Sequence, residues 1–417
     1  MPKFIADLHF HSKFSRAVSP DMNLENFAVW GKIKGIDVLG TADFTHPAWA
    51  AELKEKLAPQ DNGLYKLKGS DSPIHFLLST EISCIYTKNG KGRRIHLVVF
   101  APDLAAVEKI NTQLSWVGNL KSDGRPILGL DAKELAKIVL GASPECLVIP
   151  AHVWTPWFSL FGSESGFDTL TECFDELSDK IYAVETGLSS DPNMNWRLSQ
   201  LDSKKIVSNS DAHSLANLGR EATVFELENL SYNNILKALR ENDPKNKIAH
   251  TIEFFPEEGK YHWDGHRACQ VRFSPKETIK ANSLCPKCGK RLTVGVASRV
   301  EKLADRPENY DPSDRPPFKS LVPLEQIIGE ALGTGVKTKS VRQEYENLIR
   351  QGKNEFNILI NLPSAEIMKM TRPEIAEGIQ KVREKKLTIL PGYDGVYGTV
   401  KVFSEEGTKE KGQKSLF

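Results

Sequence analysis

The sequence predicts an α/β barrel of about seven βα units, followed by a small metal-binding module and a helical region. Three observations support this fold class. Short β-branched runs alternate with helical patterns from residue 4 to about 225. Residues 251–300 lose that alternation and contain a cysteine cluster, and helical periodicity returns between residue 321 and about 390. Strands that alternate with helices indicate parallel strands with right-handed crossovers, which can close into a barrel.

The successive elements can be followed along the chain. Strands are predicted at FIADLHFH, VLGTAD, IHFLLSTE, RIHLVVF, LVIPAH, KIYAVETGL and KIVSNSDAH. Helices are predicted at NLENFAVWGKIKG, AAVEKINTQLSWVG, DAKELAKIVLG and SYNNILKALRE, then after a Pro-rich arm at PLEQIIGEALG, KSVRQEYENLIRQG and RPEIAEGIQKVREKK. We therefore expect a barrel domain at 1–250, a zinc-binding module at 251–300, a helical domain at 301–405 and a flexible tail at 406–417.

The composition is that of a soluble globular protein with two or three domains. The 417 residues carry a formal net charge of +1, with 26% charged and 40% hydrophobic residues. Because a globally basic surface is absent, a nucleic-acid partner would have to be bound by local patches. No apolar run is as long as a membrane span, and the amino terminus begins with a strand rather than a signal peptide. We expect a cytoplasmic, monomeric protein.

Six of the predicted strands carry a potential metal ligand at or near their ends. The ligands are His9, His11, Asp43, Glu81, His96, His152, Asp211 and His213. One such residue is weak support for a site, but packing needs no imidazole at any of these positions, and the repetition is hard to explain by chance. Since the chemistry of such barrels collects at the carboxyl ends of the strands, we expect these side chains to meet at one mouth.

The pattern favours a metal-dependent hydrolase. His9 and His11 lie two residues apart on a strand, so both rings project from the same face, with Asp7 available to orient one of them. Glu81 is suited to bridge two ions. Mixed imidazole and carboxylate ligands favour zinc, manganese or iron over calcium. Two ions roughly 3.5–4 Å apart can activate a water and stabilise a leaving group.

The motif series DLHFH, Asp43, Glu81, the His96 strand, PAHVW and NSDAH resembles that of the polymerase and histidinol phosphatase (PHP) superfamily. The resemblance implies a distorted (βα)7 barrel with a phosphoesterase centre of two or three divalent ions, such as zinc, manganese or magnesium. It assigns His9, His11, Glu81 and Asp211 to one ion, Glu81, His96 and His152 to a second, and His213 to a third. The chain departs from the pattern at Phe44 and Arg16, where relatives have third-site histidines. Asp43 or His46 could substitute there, and we expect two ions.

The cysteines fall into two groups. Cys84, Cys146 and Cys173 are isolated among apolar neighbours and are predicted to be buried free thiols. The ligand pairs His266–x2–Cys269 and Cys285–x2–Cys288 have the spacing of a closed, four-ligand structural zinc site, with His262 as an alternative to His266. Such a thiol usage favours a reducing compartment over a disulfide framework.

The barrel, the DGHRAC…CPKCGK segment and the helical carboxyl region together resemble the endonuclease Q family across essentially the whole chain. The resemblance implies a DNA repair endonuclease that uses metal-activated water. It implies cleavage of the phosphodiester bond 5′ of a deaminated base (uracil, hypoxanthine or xanthine) or an abasic site. We expect Asp191, Asp211 and His213 to act at the scissile phosphate. A PHP-type 3′–5′ exonuclease and a small-molecule phosphoesterase are the alternatives.

An enzyme that inspects a base has to take it out of the stack, so it needs a pocket near its metals. VWTPWFSLFG directly follows His152 and offers Trp154 and Trp157 for stacking, with a hydrophobic lid or interdomain contact as the alternative. ETGLSSDPNMNW follows the sixth strand, so Ser190 and Asp191 are candidates for contacts to the base or phosphate, although such residues are also ordinary in turns.

Two further segments are candidates for binding partners. Lys91, Arg93 and Arg94 lie on a predicted hairpin, where they either contact DNA phosphates or are simply solvated. The terminal QKSLF, with Gln413, Leu416 and Phe417, resembles the motif by which repair enzymes dock on a DNA sliding clamp. DNA, double- or single-stranded, and a sliding clamp are therefore the expected partners.

Overall fold

The computed structural model describes residues 1–403, and its first half is a barrel of strands surrounded by helices. The strands are β1 (Lys3–Asp7), β2 (Val38–Gly40), β3 (Leu57–Pro59), β4 (Tyr65–Leu67), β5 (His75–Lys88), β6 (Lys91–Ala101), β7 (Ile127–Leu128), β8 (Leu147–Pro150), β9 (Ala183–Glu185), β10 (Lys205–Val207), β11 (Ala222–Glu226) and β12 (Lys247–Glu253). The helices are α1 (Leu24–Lys34), α2 (Pro47–Lys56), α3 (Leu104–Ser115), α4 (Ala132–Ala142), α5 (Leu170–Phe174), α6 (Pro192–Trp196) and α7 (Tyr232–Arg240).

A ring of seven strands surrounds the barrel interior. β1 pairs in parallel with β2 and β2 with β5, the antiparallel strand β6 joins β5 to β8, and β9 and β10 form a parallel pair. The two remaining joints lie just beyond the strand ends. Val153 N donates to the Glu185 carbonyl at 3.0 Å, and His11 N donates to the Ala212 carbonyl at 3.0 Å. The ring therefore closes through the segments that follow the strands rather than through a continuous strand ladder.

One strand runs against the predicted direction. The run RIHLVVF was expected to be a parallel strand with its ligand at or near its end, but β6 is antiparallel to both β5 and β8. The reason is local: Asn89 and Gly90 turn the chain straight back, with φ of 56° and 74°, so no crossover helix separates β5 from β6. His96 consequently lies in the middle of β6, opposite Ser83.

The sheet extends beyond the ring on the outer edge of β1. β11 pairs antiparallel with β1, β12 pairs antiparallel with β11, and β15 (Phe318–Ser320) pairs in parallel with β12. The carboxyl-terminal part of the chain thus contributes a strand to the barrel sheet.

Polar caps explain why the barrel helices begin where the sequence indicates. The side chains of Asn23, Asp103, Asp131 and Ser231 each accept a backbone N–H in the first turn of α1, α3, α4 and α7. Such caps satisfy donors that the helix itself leaves unpaired. Helices α2, α5 and α6, and strands β3, β4, β7, β11 and β12, were not among the predicted elements of this part of the chain.

The remaining elements form the metal-binding module and the helical region. The module contains β13 (Asp264–His266), β14 (Val271–Phe273) and α8 (Pro275–Lys280), and is followed by α9 (Val296–Leu303). The helical region contains α10 (Leu324–Leu332), α11 (Lys339–Gly352), α12 (Ser364–Met370) and α13 (Pro373–Arg383), then the hairpin of β16 (Thr388–Leu390) and β17 (Thr399–Lys401). Single turns of 3-10 helix lie at Asp175–Lys180, Ser199–Leu201, Leu215–Asn217, Pro256–Glu258 and Arg267–Cys269, and a π-helical turn lies at Asn357–Asn361.

The helical region shares its apolar core with the barrel. One continuous cluster of buried side chains includes Phe27 and Trp49 on the barrel side and Ile327 and Ile375 on the helical side. A buried ion pair, Lys34 Nζ to Glu355 Oε2 at 2.7 Å, crosses the same contact. None of the helices within residues 1–403 is both long and apolar enough to cross a bilayer.

Candidate metal centre

Six predicted ligands converge at one mouth of the barrel. His9 and His11 follow β1, His152 follows β8 and Asp211 follows β10, because the parallel strands end on this side. Glu81 and His96 come instead from the interior of the β5–β6 hairpin. The ligand atoms form two groups whose members lie within 4.8 Å of one another: His9, His11 and Asp211, and Glu81, His96 and His152.

The first group contains three ligand atoms that have no hydrogen-bond partner among residues 1–403. His11 Nε2 lies 3.1 Å and His9 Nε2 lies 3.9 Å from Asp211 Oδ1. All three atoms are buried, and none of them makes a hydrogen bond within the described chain. Buried polar atoms are normally satisfied, so this convergence of unsatisfied nitrogen and carboxylate donors fits a cation.

Glu81 lies between the two groups. Its Oε2 is 3.3 Å from His11 Nε2, whereas its Oε1 is 2.8 Å from His96 Nδ1 and 3.1 Å from His152 Nε2. The side chain has no solvent-exposed surface. Its Oε1 also lies 3.6 Å from His9 Nε2, so the carboxylate contacts members of both groups, as expected of a bridging ligand.

The charges around the centre favour cation binding. Burial by itself would raise the pKa of Glu81, but His96 and His9 outweigh it and hold that pKa well below its usual range. Asp211 behaves in the same way, since the effect of its burial is outweighed by the histidine pair of the first group. Burial lowers the pKa of His96 to about 4, so its ring is neutral near pH 7, the form that binds metals.

Two carboxylates hold the first pair of imidazoles in place. Glu185 lies behind His9, with its Oε2 3.0 Å from His9 Nδ1. Asp43 Oδ1 lies 3.1 Å from His11 Nδ1, and its other oxygen accepts from the Ser12 and Ser15 hydroxyls. Carboxylates in this position fix the tautomer and the direction of a metal-binding ring.

These contacts correct two expectations. Asp43 was predicted to be a metal ligand, but both of its oxygens are engaged behind His11 and it belongs to neither group. Asp7 was expected to orient a ring, but it accepts the backbone N–H groups of Ser210 and Gly219 instead. Glu185 does what was expected of Asp7. It was missed, although a carboxylate at the end of the strand in ETGL was a visible signal.

The backbone at the centre is strained. Asp43, His152 and Asp211 have φ values of 40°, 31° and 46°, in a region that residues with a Cβ rarely adopt. Gly187 allows His152 its place, because a Cβ at position 187 would lie 2.3 Å from the His152 Cβ. Such conformations persist where the surroundings enforce them, and they are commonest at functional sites.

The residues expected at a third metal site do not form one. His213 points its ring at the centre, 4.8 Å from the His11 ring, but it belongs to neither ligand group. Phe44 is buried, the Arg16 side chain is 76% exposed and paired with Asp123, and the His46 ring stacks on Phe14.

Asp191 lies apart from the ligand groups. Its side chain caps α6 by accepting from Met194 N at 2.9 Å, and burial raises its pKa. It lines a cavity of about 470 Å³ together with His262 and Trp263. Its predicted catalytic role therefore remains a prediction, for which contact with the ligand groups gives no support.

The segment after His152 forms a loop over the centre. Phe158 packs on the His96 ring at 4.8 Å, and its carbonyl accepts from His96 N at 3.1 Å. Arg299 of α9 fastens the loop from the far side by donating to the Phe161 carbonyl at 2.8 Å and the Phe167 carbonyl at 3.0 Å. The loop is thus held by both the barrel and the helix that follows the module.

Of the proposed base-contacting residues, only one ring is accessible. Trp157 is 38% exposed, whereas Trp154 is fully buried and donates through Nε1 to Asn195 Oδ1 at 2.8 Å. Ser190 is 1% exposed and donates to the Thr186 carbonyl. Trp154 and Ser190 are engaged within the protein, so Trp157 is the ring available for stacking.

The basic hairpin is only partly free. Lys91 and Arg94 are exposed. Arg93 donates to the Gly166 carbonyl, and its guanidinium lies 4.0 Å from the centre of the Phe167 ring. Arg93 therefore supports the loop over the centre, while Lys91 and Arg94 remain available for phosphates.

The predicted zinc ligands also converge. His266, Cys269, Cys285 and Cys288 place their ligand atoms within 4.8 Å of one another, whereas His262 lies outside this set. Burial opposes ionisation of Cys285, but the N–H groups of Lys287 and Cys288 lower its pKa to about 6. A thiol that ionises near neutral pH suits zinc, which binds the thiolate.

The residues of the predicted clamp-binding motif, Gln413, Leu416 and Phe417, lie outside the described residues.

Sequence reasoning missed one cation at the centre. Arg125, on the loop between α3 and β7, donates through Nη1 to Glu81 Oε2 at 3.1 Å. No motif marks this residue, because the loop before it has no regular pattern. Only the fold brings it beside Glu81.

Comparison with known proteins gives matches over nearly the whole chain. Residues 194–244 match the family described as PHP-associated, and residues 323–386 match the MJ0043 C-terminal domain. Among solved structures, the lesion-specific endonuclease PfuEndoQ from Pyrococcus furiosus superposes with a TM-score of 0.86 at 33% identity, covering 98% of each chain. An endonuclease Q complex with a 27-mer duplex carrying an abasic lesion at the active site gives a TM-score of 0.85, also at 33% identity and 98% coverage of each chain.

Two relatives are known from sequence. YqxK of Bacillus subtilis, an uncharacterized protein, is 31% identical over 418 residues, which is 96% of this chain and 100% of YqxK. MJ0043 of Methanocaldococcus jannaschii, also uncharacterized, is 37% identical over 256 residues. That match covers 60% of this chain but 31% of MJ0043, so the chain spans about a third of that relative.

Proposed function

Because the chain belongs to the endonuclease Q family, we propose that it is a metal-dependent DNA repair endonuclease. The observation that carries the proposal is the pair of ligand groups at the barrel mouth, joined by the buried carboxylate of Glu81. The similarity to endonuclease Q extends over the module and the helical region as well as the barrel. A phosphatase acting on small molecules would need neither.

We infer that two divalent ions bind at this mouth. His9, His11 and Asp211 hold one, His96 and His152 hold the other, and Glu81 serves both. When bound, such ions supply water activation and neutralise charge at the phosphorus and the leaving oxygen. The protein itself would bind the ions and orient their ligands. Glu185 directs the ring of His9, and Asp43 directs the ring of His11.

The finer proposal concerns the bond that is cut. We propose cleavage 5′ of a deaminated base or an abasic site, with the lesion taken out of the helix. The related endonuclease Q complex, in which a duplex has an abasic lesion at the active site, supports this substrate class. Trp157 is the accessible aromatic ring beside the centre and is proposed to stack against the displaced nucleotide or its neighbour.

The decisive experiment uses a duplex with one internal uracil, labelled on the strand that carries it. We expect a single nick immediately 5′ of uracil that requires divalent metal. Progressive shortening from a 3′ end would instead identify an exonuclease. Phosphate release from small phosphomonoesters without any DNA cleavage would support the phosphatase.

One variant and a matched control test whether cleavage depends on the metal centre. Asp211→Asn removes the carboxylate charge of the first group and is expected to abolish nicking while leaving DNA binding intact. Asp179→Asn, at an exposed position, is the matched control and should nick at the wild-type rate. Full activity of Asp211→Asn would contradict the assigned role.

We also propose that the terminal QKSLF docks the enzyme on a DNA sliding clamp. Deleting residues 413–417 should abolish clamp binding in a pull-down assay and leave nicking of a short duplex unchanged. Undiminished clamp binding by the truncated chain would overturn this part of the proposal.

A further inference from the structure

Arg125 is held rigidly beside the metal centre by its own loop. Gly124 N donates to the Phe14 carbonyl at 2.9 Å, and the Gly124 carbonyl accepts from the Thr45 hydroxyl at 3.2 Å. Asp123 Oδ1 accepts from Arg125 N at 3.1 Å. On the other side, the Pro126 carbonyl accepts from Ser83 N at 3.0 Å, so the backbone on both sides of the arginine is fixed to the barrel.

Close packing leaves this loop little freedom to move. A Cβ added at Gly124 would lie 2.4 Å from Asp43 Oδ2 and 2.4 Å from Ser15 Oγ. Asp43 in turn orients His11. The loop thus packs directly against a group that directs a metal-binding ring, and the position of Arg125 is tied to that of the centre.

The guanidinium is only partly used by the protein. Its Nη1 donates to Glu81 Oε2, and within residues 1–403 the guanidinium makes this one hydrogen bond. The side chain is 24% exposed, although Glu81 beneath it is fully buried. An arginine offers five N–H donors in a rigid fork and keeps its charge at any physiological pH. Unused donors therefore remain accessible beside the metal centre.

Neighbouring arginines do not offer the same geometry. Arg220 donates to the backbone carbonyls of Ser210 and Asp211. The Arg16 side chain is 76% exposed and lies beside Asp123 rather than the ligand groups. Arg93 is engaged by Gly166. Of these four arginines, Arg125 is the one whose guanidinium contacts the side chain of a proposed metal ligand while remaining partly exposed.

We propose that Arg125 is a catalytic residue that binds a non-bridging oxygen of the scissile phosphate while its Nη1 holds Glu81. This inference rests on the proposed phosphodiesterase function and assigns that site a protein cation in addition to the ions. The planar fork matches the phosphate oxygens, and negative charge that develops on the non-bridging oxygens during hydrolysis strengthens the contact. Two N–H groups on one side chain would thus link the bridging carboxylate to the substrate.

The test compares Arg125→Gln and Arg125→Lys with Lys121→Gln, an exposed cation on the same loop. Loss of one preorganised donor typically costs about 10²–10³-fold in rate, and we expect that loss in the single-turnover rate of Arg125→Gln. Arg125→Lys should be intermediate, because an ammonium keeps the charge but not the fork. The Lys121 variant should match wild type.

Three further readouts separate substrate contact from a purely supporting role. Metal content, measured by elemental analysis, should be unchanged in Arg125→Gln. Sulfur substitution of a non-bridging oxygen should slow wild type more than the variant, and guanidinium ion should partly rescue Arg125→Ala. Proportional loss of metal and activity, restored by excess metal, would show that Arg125 only positions Glu81 and would overturn the proposal.

A simple phosphodiester separates this inference from the proposed function. Bis(p-nitrophenyl) phosphate needs no lesion, so it reports on the phosphate site alone. If wild type hydrolyses it without nicking uracil-containing DNA, the DNA substrate is wrong, but the dependence on Arg125 can still be measured. Equal hydrolysis by wild type and Arg125→Gln would reject the role of Arg125.

Discussion

Glu185 shows how much of the centre depends on residues that touch no ion. It orients His9 through Nδ1, accepts from His152 N at 2.9 Å, and accepts from Asn209 Nδ2 at 2.8 Å. One side chain therefore sets the direction of a ligand in the first group and the backbone of a ligand in the second. Its contacts come from distant parts of the chain, which is why the sequence indicated the candidate ligands but not the role of Glu185 in supporting them.

We predict that Glu185→Gln weakens metal binding without unfolding the barrel. Removing a carboxylate behind a metal-binding ring typically costs about 10–100-fold in affinity. Isothermal titration with a divalent ion would measure the loss, and Glu226→Gln, at the partly exposed end of β11, is the matched control. An unchanged affinity would show that Glu185 does not orient His9.

The buried carboxyl groups of Glu253 and Glu221 predict that the stability of the protein depends on pH. Burial raises the pKa of Glu253 to about 8, with Asp191 adding to the effect and the Thr251 and Ser208 hydroxyls opposing it. The pKa of its neighbour Glu221 is raised as well, by burial and by the charge of Glu253. Glu221 Oε2 and Glu253 Oε1 are buried without hydrogen-bond partners in the described part of the chain.

The folded protein therefore keeps a proton on this pair that the unfolded chain has already released. Stability from this source is fully present below the ordinary glutamate value of 4.5 and is lost as pH rises towards about 8. We predict that Glu253→Gln flattens the fall in unfolding free energy across this range. Urea unfolding at a series of pH values measures it. A variant as steep as wild type would contradict the assignment.

At the scale of elements, the β5–β6 hairpin explains the main error in the sequence analysis. Apolar runs and helical periodicity were sufficient to locate the seven ring strands and most of the longer helices, although not α2. The direction of β6 depends on a two-residue turn, and its length on pairing that a local pattern does not contain. His96 was nevertheless singled out as a candidate ligand, because its residue type was informative even where the predicted strand direction was wrong.

The cysteine module supplies a prediction of its own. Its own buried apolar cluster consists of Val271, Cys285 and Leu292, so little besides a metal would stabilise it. Lys287, Lys290 and Arg291 are exposed but lie on a folded backbone. We expect chelation of zinc, or Cys285→Ser, to unfold that backbone so that trypsin cuts after these residues while the barrel resists. Mass spectrometry of the fragments locates the cuts, and Cys146→Ser is the control. Equal protection with and without metal would argue against a structural zinc.

At the scale of the whole molecule, the contact between barrel and helical region depends on a buried ion pair. Lys34 and Glu355 are each 5% exposed, and Glu355 also accepts from the Tyr345 hydroxyl at 2.7 Å and from Leu324 N at 3.2 Å. Removing one partner of such a pair leaves a buried charge uncompensated.

We predict that Lys34→Met lowers the free energy of unfolding by about 3–5 kcal/mol. Lys32→Met, two residues away and exposed, should have little effect. Adding Glu355→Gln to Lys34→Met should recover part of the loss, since it removes the stranded charge. Urea denaturation monitors all three. Equal stability of Lys34→Met and wild type would mean that the pair does not hold the two parts together.

The order of the barrel, the cysteine module and the helical region was predictable from the sequence, but the strand pairing that connects them was not. A change of pattern near residue 251 separated the barrel from the cysteine module. In the folded chain β12 continues to Glu253 and β15 adds a strand from the far side of the module. Long-range pairing of this kind leaves no periodic trace in the sequence, so the proposed domain boundaries remain predictions.

The contacts of Arg299 limit how far the protein can be shortened around its metal centre. A fragment that ends with the barrel would retain all six ligands, yet the loop carrying Phe158 would lose the guanidinium that fastens its carbonyls. The six candidate metal ligands precede the cysteine module in the sequence, whereas Arg299, which holds the loop in place, follows it. A transplanted or minimised version of the nuclease must therefore carry α9 with it, although that helix supplies none of the six ligands.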